Sequence, residues 1–353
     1  MIRENIQALV DGFSLSCNES QQAMREIMTG QATAAQIAAF LTALRMKGET
    51  VQELVAFAEV IRENCCCIHP NVKGRLVDTC GTGGDRLKTF NISTASAFVA
   101  AGAGVAIAKH GNRSVTSQSG SADVLEYIGV NIDVDPITVS QEIEQTNIGF
   151  MFAPSFHPAM KYAVTPRKEV GIRTIFNLLG PLTNPACADA QILGVYDQKL
   201  TVPVAQALEI LGCKEAMVVH GLDGLDEIST VGKTVISHLK NGRVKTFEVS
   251  PQDFGVKQTH FETLQGGGAK ENAEILFSIL CGKTSLGDPK TEIVLVNSAA
   301  AIIVAGRASD FKCGMEIARE SIQSGLAFKR LKDLIRVSGG NCSKLEELYQ
   351  KYA

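Results

Sequence analysis

The sequence predicts an α/β protein: a small all-helical N-terminal domain plus a large α/β domain with a mostly parallel central sheet flanked by helices. Three observations carry this expectation. The first 64 residues hold recurring helix caps and one-sided apolar stripes. From about residue 74, short apolar runs alternate with helical stretches, as βαβ units do. The distinctive glycine- and hydroxyl-rich motifs each follow such a run, and open α/β sheets bind ligands beyond the C-terminal ends of their strands.

The helical domain is expected over residues 1–70, joined by part of 160–187. Three N-cap signals recur, Asn18-x-x-Gln21, Thr33-x-x-Gln36 and Thr50-x-x-Glu53, each a capping residue followed three later by Glu or Gln. Gly30 and Gly48 stand where C-caps belong. Ile37, Phe40, Leu41 and Leu44 form one apolar stripe, and Val51, Leu54, Val55 and Ala58 another. In the larger domain, 71–353, strands are expected at Leu76–Val77, Gly104–Ala108, Val130–Ile132, Ile148–Phe152, Ile192–Val195 and Met217–Val219. Five prolines between Pro154 and Pro185 mark a stretch of connections with one helical run near Val170–Leu179. The C-terminal part reads as helices over Glu271–Cys281, Asn297–Ala305, Cys313–Ser324 and about Cys342–Tyr349.

Composition narrows the function. A formal net charge of −3 over 353 residues argues against a general nucleic-acid binder. No apolar run approaches the roughly 20 residues of a membrane span. Ten cysteines are scattered, three of them consecutive at Cys65–Cys67, with no CxxC pair; this pattern fits reduced thiols in a cytoplasmic protein rather than a disulfide scaffold or a zinc site.

The central motif is Asp78-Thr-Cys-Gly81-Thr-Gly83-Gly84-Asp85, followed by Thr89-Phe-Asn91-Ile92-Ser93-Thr94. Strand, glycine loop and helix start together make an anion site: glycines let backbone N–H groups approach, and the helix N-terminus adds unpaired donors. No Lys-Ser/Thr completes a Walker A motif, and Arg86 stands where a dinucleotide fingerprint needs glycine. Asp85 suits sugar hydroxyls or an intervening metal better than bare phosphate. The second motif, Lys109-His110-Gly111-Asn112-Arg113-Ser114-Val115-Thr116-Ser117, runs on to Ser121. Its cations and hydroxyls can fold over a phosphorylated ligand. Arg167 beside a proline-framed loop could grip a carboxylate bidentately. Asp226-Glu227, in a glycine turn after a strand, could hold magnesium, which takes one or two carboxylates plus phosphate oxygens and water. His157 and His220 read as structural.

Together the segments CGTGGD, TFNIST, KHGNRSV, SGSADVLE, RTIFNLLGPLTNPA and HGLDGLDEIS resemble the anthranilate phosphoribosyltransferase family, with the resemblance spanning the whole chain. It implies a Mg2+-dependent transfer of phosphoribose from 5-phosphoribosyl diphosphate to anthranilate in tryptophan biosynthesis, by a homodimer paired through its helical domain. It assigns the phosphoribosyl diphosphate to Gly81, Gly84, Asp85, Thr89, Asn91, Ile92, Ser93, Thr94, to Lys109 through Ser117, and to Ser121. It assigns anthranilate to Gly81, Asn112 and Arg167, metal to Ser93, Asp226 and Glu227, and catalysis to Lys109, Asp226 and Glu227. Arg86-Leu87-Lys88 and Gln118 depart from the family's usual residues. Two rivals share the architecture: a nucleoside phosphorylase, which has no use for a metal-bound diphosphate, and a non-catalytic nucleic-acid-binding relative.

Overall fold

The structure is a computed structural model and describes residues 1–83, 88–114, 118–285 and 287–352. The chain begins with α1 (Ile2–Val10), α2 (Cys17–Met28), α3 (Ala34–Lys47) and α4 (Val51–Glu63). Thr33 with Gln36 and Thr50 with Glu53 form capping boxes as the spacing predicts. The cap of α2 lies two residues earlier than expected: Ser16 and Glu19 make the box, and Asn18 already lies inside the helix. Ser-x-x-Glu and Asn-x-x-Gln overlap here, and the charged Glu19, bonded to both the Ser16 N–H and hydroxyl, is the stronger partner.

The remainder alternates as predicted. In order come β1 (Leu76–Gly81), α5 (Ile92–Gly102), β2 (Ala106–Gly111), α6 (Ser121–Ile128), α7 (Pro136–Thr146) and β3 (Ile148–Phe152). Then follow α8 (Ala153–Phe156), α9 (Lys161–Val170), α10 (Phe176–Leu182), β4 (Ala190–Gly194), α11 (Thr201–Ile210) and β5 (Glu215–Gly221). The hairpin β6 (Thr234–Lys240) and β7 (Arg243–Val249) precedes α12 (Ala269–Leu280), α13 (Pro289–Val304), α14 (Phe311–Gln323), α15 (Leu326–Val337) and α16 (Cys342–Tyr352). The sheet order is β3-β2-β1-β4-β5-β6-β7. The first five strands pair in parallel, and β6 and β7 add on antiparallel.

Several expectations are corrected. Val130–Ile132 is not a strand: the alternation of inward Val130 and Ile132 with Asn131 is strand-like. Its backbone instead meets the end of α15, where Asn131 N donates to Ser338 and Asn341 N to Gly129. The run expected near Val170–Leu179 is broken, because α9 ends at Val170 on a left-handed Gly171 and α10 starts afresh at Phe176. The hairpin was announced by Asn241-Gly242, both at positive φ, the dipeptide that a two-residue hairpin turn prefers. The sequence reading passed over it, and over α15.

Two large cores result. One buries α5 and α13 almost completely against the sheet. Helix α5 tolerates this because it is mostly Ala, Ser and Gly. At Gly102 a β-carbon would sit 2.6 Å from the Ala327 nitrogen, so α5 and α15 are pressed backbone to backbone. The other core joins the N-terminal helices to α9, α10 and α11 and to the facing side of β4 and β5. Helix α9 packs on α2 and α3, and α10 on α4. Among the described residues no helix is long and apolar enough to cross a membrane.

Candidate active site

The sheet reverses its winding between β1 and β4. From β1 the chain proceeds outward to β2 and β3; from β4 it proceeds the other way to β5. Such a switch point opens a crevice at the carboxyl ends of the strands. Gly81 and Gly194 are register partners at that end. The loop leaving β1 is tied to β4, with Thr82 N donating to Gly194 O at 2.9 Å and Tyr196 N to the Thr82 hydroxyl at 3.1 Å.

Asp226 and Glu227 come into this crevice from the turn after β5. Gly83 N donates to Asp226 Oδ2 at 3.0 Å. Asp226 lies over both strand-end glycines: a β-carbon on Gly194 would stand 1.5 Å from the Asp226 carbonyl oxygen, and one on Gly81 would stand 2.6 Å from the side-chain Oδ2. The turn is held at both ends. Asp223 accepts from Leu225 N and from the Ser229 hydroxyl. Asn297, buried on α13, accepts from Ile228 N and donates to Ile228 O, both at 3.0 Å. The sequence reading missed Gly194 and Asn297, since neither lies in a recognisable motif and both act through a neighbour distant in sequence.

Helix α5 aims its N-terminus at the same place. Ser93 N donates to Glu227 Oε1 at 3.2 Å, and Thr79 Oγ1 donates to Ser93 O. The Thr94 hydroxyl is buried with no hydrogen-bond partner, an acceptor and donor waiting for a ligand. Lys109, 3 % exposed, sits beneath this group; its Nζ donates to Thr79 O at 2.7 Å and stands 3.4 Å from Ser93 Oγ. Burial pulls its pKa down, while Asp78, Cys80 and Glu227 push it back up. Burial raises the Asp78 carboxyl, opposed by Asn184 and Lys109. Lys109 therefore acts from the floor of the crevice as a counter-charge.

The 109–121 segment lines the adjoining rim. Gly111 and Ser121 touch, because a β-carbon at Gly111 would meet Ser121 Oγ at 2.3 Å. Ser114 N and Gly120 N both donate to Asp123 at the start of α6. The Arg113 guanidinium is held by Asp123 and Glu126 and lies over Phe152. Asn112 is exposed. Gly84, Asp85, Val115, Thr116 and Ser117 lie outside the described residues. Thr89 bridges to Gln265, which brings the glycine run 266–268 against the 88–91 segment.

Arg167 lies in the last turn of α9 with its guanidinium 4.9 Å from the centre of the Phe176 ring. Burial lowers its pKa. Among the described residues no carboxylate pairs with it, and no hydrogen bond links it to Gly81 or Asn112. Phe176 opens α10. His110 and His157 lie with ring centres 5.0 Å apart and planes tilted by 56°, and burial depresses them to about 3 and about 4. Both are neutral at pH 7. His220 bonds Val195 O within the core.

Among the described residues, the predicted metal set is Asp226, Glu227 and Ser93, which meet at the start of α5. Two carboxylates and a hydroxyl are all-oxygen donors, and no group of three or more His, Cys, Asp or Glu gathers among the described residues. That set fits a hard cation which keeps phosphate oxygens and water, as Mg2+ does, and does not fit zinc.

The chain matches the helical bundle domain of the glycosyl transferase family over residues 3–65 and the a/b domain of that family over residues 73–328. It is 54% identical over 340 residues to the anthranilate phosphoribosyltransferase of Methanocorpusculum labreanum, covering 96% of this chain and 99% of that one. It is 51% identical over 338 residues to that of Alkaliphilus metalliredigens, covering 96% and 98%. Anthranilate phosphoribosyltransferase from Thermus thermophilus superposes with a TM-score of 0.89 at 38% identity, covering 95% of this chain and 99% of that one. The Saccharomyces cerevisiae enzyme in complex with PRPP and Mg superposes with a TM-score of 0.89 at 31% identity, covering 96% and 98%. With both halves of the fold matched and its relatives aligned nearly end to end, the chain belongs to the glycosyl transferase family, among the anthranilate phosphoribosyltransferases.

Proposed function

We propose that the chain transfers the phosphoribosyl group of 5-phospho-α-D-ribose 1-diphosphate to the nitrogen of anthranilate, releasing diphosphate, in L-tryptophan biosynthesis. One observation carries the reading: Asp226-Glu227 is clamped over Gly81 and Gly194 at the switch point, against the N-terminus of α5. An anion and a divalent cation would both be held there. Relatives bearing the activity's name support the choice of substrates.

In this reading the N–H groups of the glycine loop and of α5 take phosphate oxygens, with the Thr94 hydroxyl as a further partner. Ser93, Asp226 and Glu227 would hold Mg2+, which when bound neutralises charge on the diphosphate. The C1–O bond to diphosphate breaks as the N–C1 bond forms, and the nitrogen then loses a proton. The aniline nitrogen is neutral at pH 7, so the transfer asks for orientation more than for a base. Arg167, stacked on Phe176 with no carboxylate partner among the described residues, orients the anthranilate carboxylate.

The same reading divides the chain into a helical domain, 1–70 with part of 160–187, and a phosphoribosyl-diphosphate domain, 71–353. It makes the protein a cytoplasmic homodimer; all ten cysteines are free. The pairing surface would be the helical domain, where Val10, Phe13, Met46 and Val164 are exposed. A Phe13→Asp, Met46→Glu variant should then sediment as a monomer, and an unchanged mass would overturn this surface.

The reaction is tested by the loss of anthranilate fluorescence on mixing with phosphoribosyl diphosphate and Mg2+. Asp226→Ala/Glu227→Ala and added EDTA are each expected to abolish turnover. Phosphorolysis of a pyrimidine nucleoside without anthranilate consumption would overturn the assignment in favour of the phosphorylase.

A further inference from the structure

Residues 222–230 belong to no helix or strand, yet they carry Asp226 and Glu227, and Ile228 among them is fully buried. Buried peptide groups outside a ladder need partners from elsewhere. Asn297 on α13 supplies them. Its carboxamide, 2 % exposed, accepts from Ile228 N and donates to Ile228 O, both at 3.0 Å, as a neighbouring strand would. Nδ2 also donates to Ile293 O at 2.9 Å, one turn back on its own helix. Together these bonds fix which way the amide faces, since the flipped amide would set N–H against N–H and oxygen against oxygen.

The same helix holds the other side of the metal set. The Ser96 hydroxyl donates to Val294 O at 3.2 Å, which joins α5 to α13 one turn beyond Ser93. Val294 and Asn297 are three residues apart, so they share a face of α13 and stand about 4.5 Å apart along its axis. One helix therefore fixes the first turns of α5 and the Glu227 turn relative to each other. The bond from Ser93 N to Glu227 Oε1, at 3.2 Å, closes the arrangement.

We propose that Asn297 is a positioning residue for the divalent cation. It touches neither metal nor substrate; it sets metal affinity by holding the main chain next to Glu227 in place against the start of α5. The inference rests on the reading that Ser93, Asp226 and Glu227 hold Mg2+ with the sugar diphosphate. Groups that orient a metal's ligands typically govern about 10–100-fold in affinity, because a carboxylate that is free to wander must first be ordered.

Asn297→Leu is close in shape and removes every one of these bonds. It leaves the Ile228 N–H and C=O without partners, so the turn must shift. The Mg2+ half-saturation of turnover is expected to rise about 10–100-fold, with kcat largely recovered at saturating Mg2+. Mn2+ binding in the presence of phosphoribosyl diphosphate and without anthranilate, read from the EPR signal of the free ion, should weaken by the same factor. A merely structural role predicts otherwise: fewer folded molecules lower kcat at every Mg2+ concentration and leave the half-saturation in place. Thr291→Val is the control for that outcome. It removes a buried α13 hydroxyl bonded to Thr284 and Asp288, and it should lower the urea midpoint and leave Mn2+ binding unchanged. Should Asn297→Leu not fold, Asn297→Ala, which cannot overpack, carries the same expectation.

A folded Asn297 variant with wild-type Mn2+ affinity and Mg2+ half-saturation overturns the proposal. If neither variant folds, Asn297 is a determinant of folding and the proposal falls as well. Glu227→Gln separates these failures from failure of the site itself. If Glu227→Gln leaves Mn2+ binding unchanged, the metal reading falls; if it weakens binding while the Asn297 variants do not, only the role of Asn297 falls.

Discussion

Replacing Gly194 by alanine adds a single methyl group where two strand ends meet a loop, and the outcome can be worked from distances. Gly194 is not among the glycines at positive φ, so alanine is conformationally permitted and any loss must come from contact. The new carbon would lie 1.5 Å from the Asp226 carbonyl oxygen and 2.4 Å from its carbonyl carbon, where real β-carbons stay beyond 3.0 Å. These are backbone atoms, so no side-chain rotation relieves them. The Asp226 segment must retreat by about 1.5 Å, the gap between those two limits. Misplacing a catalytic group by about 1 Å can cost about 10²-fold in rate, and overpacking costs about 1–3 kcal/mol of stability. The variant should therefore stay folded yet lose about 10²-fold in kcat/KM, with its Mg2+ half-saturation shifted upward, because Asp226 can no longer reach both Gly83 N and the cation. Initial rates from anthranilate fluorescence across a Mg2+ titration, beside a urea denaturation curve, measure both. A folded Gly194→Ala enzyme with wild-type kcat/KM and Mg2+ dependence would refute the placement of Asp226 over the switch point.

Other expectations follow from the same geometry. Arg167→Ala should raise the KM for anthranilate about 10–100-fold, the range of a hydrogen-bonded charged group, and lower kcat much less; an unchanged KM contradicts the carboxylate role. Lys109→Met removes the buried counter-charge of Asp78 and Glu227 and should cut kcat about 10²-fold, with full turnover in the variant arguing for a purely structural lysine. Glu142 is buried on α7 with Oε1 unpartnered, and burial pushes its carboxyl up to about 8 from 4.5. Its native state thus retains a proton that the unfolded chain releases. That contribution is full below pH 4.5 and is lost as pH rises through about 8. Glu142→Gln should accordingly gain on the wild type by up to ~1.4 kcal/mol per pH unit across that window in urea midpoints; a gain independent of pH would refute the buried-acid account. His110 and His157 act in the opposite sense, depressed to about 3 and about 4 from 6.5. Their contribution is present above pH 6.5 and fades as pH falls toward those values, so replacing His157 with Gln should blunt acid unfolding.

Local chemistry made much of this protein legible from its residues alone. The capping boxes at Thr33 and Thr50, the alternation from β1 onward, and the glycine loop running into α5 are all interactions within a few positions of chain. Asp226 and Glu227 could be picked out because a glycine turn after an apolar run has a narrow set of uses. Tertiary structure decided what depended on partners far apart in sequence. Val130–Ile132 has the inward–outward alternation of a strand, but hydrogen bonds to the end of α15 make it a loop. Arg113 has the charge for a phosphate, and only the fold shows that Asp123 and Glu126 stand beside it. Gly194 and Asn297 carry no motif: one matters through a close approach and the other through buried hydrogen bonds, each to a residue dozens of positions away. A chain's periodicity records which face is buried, whereas the identity of the atom on the other side of a contact exists only once the sheet has closed and its two halves diverge at β1 and β4.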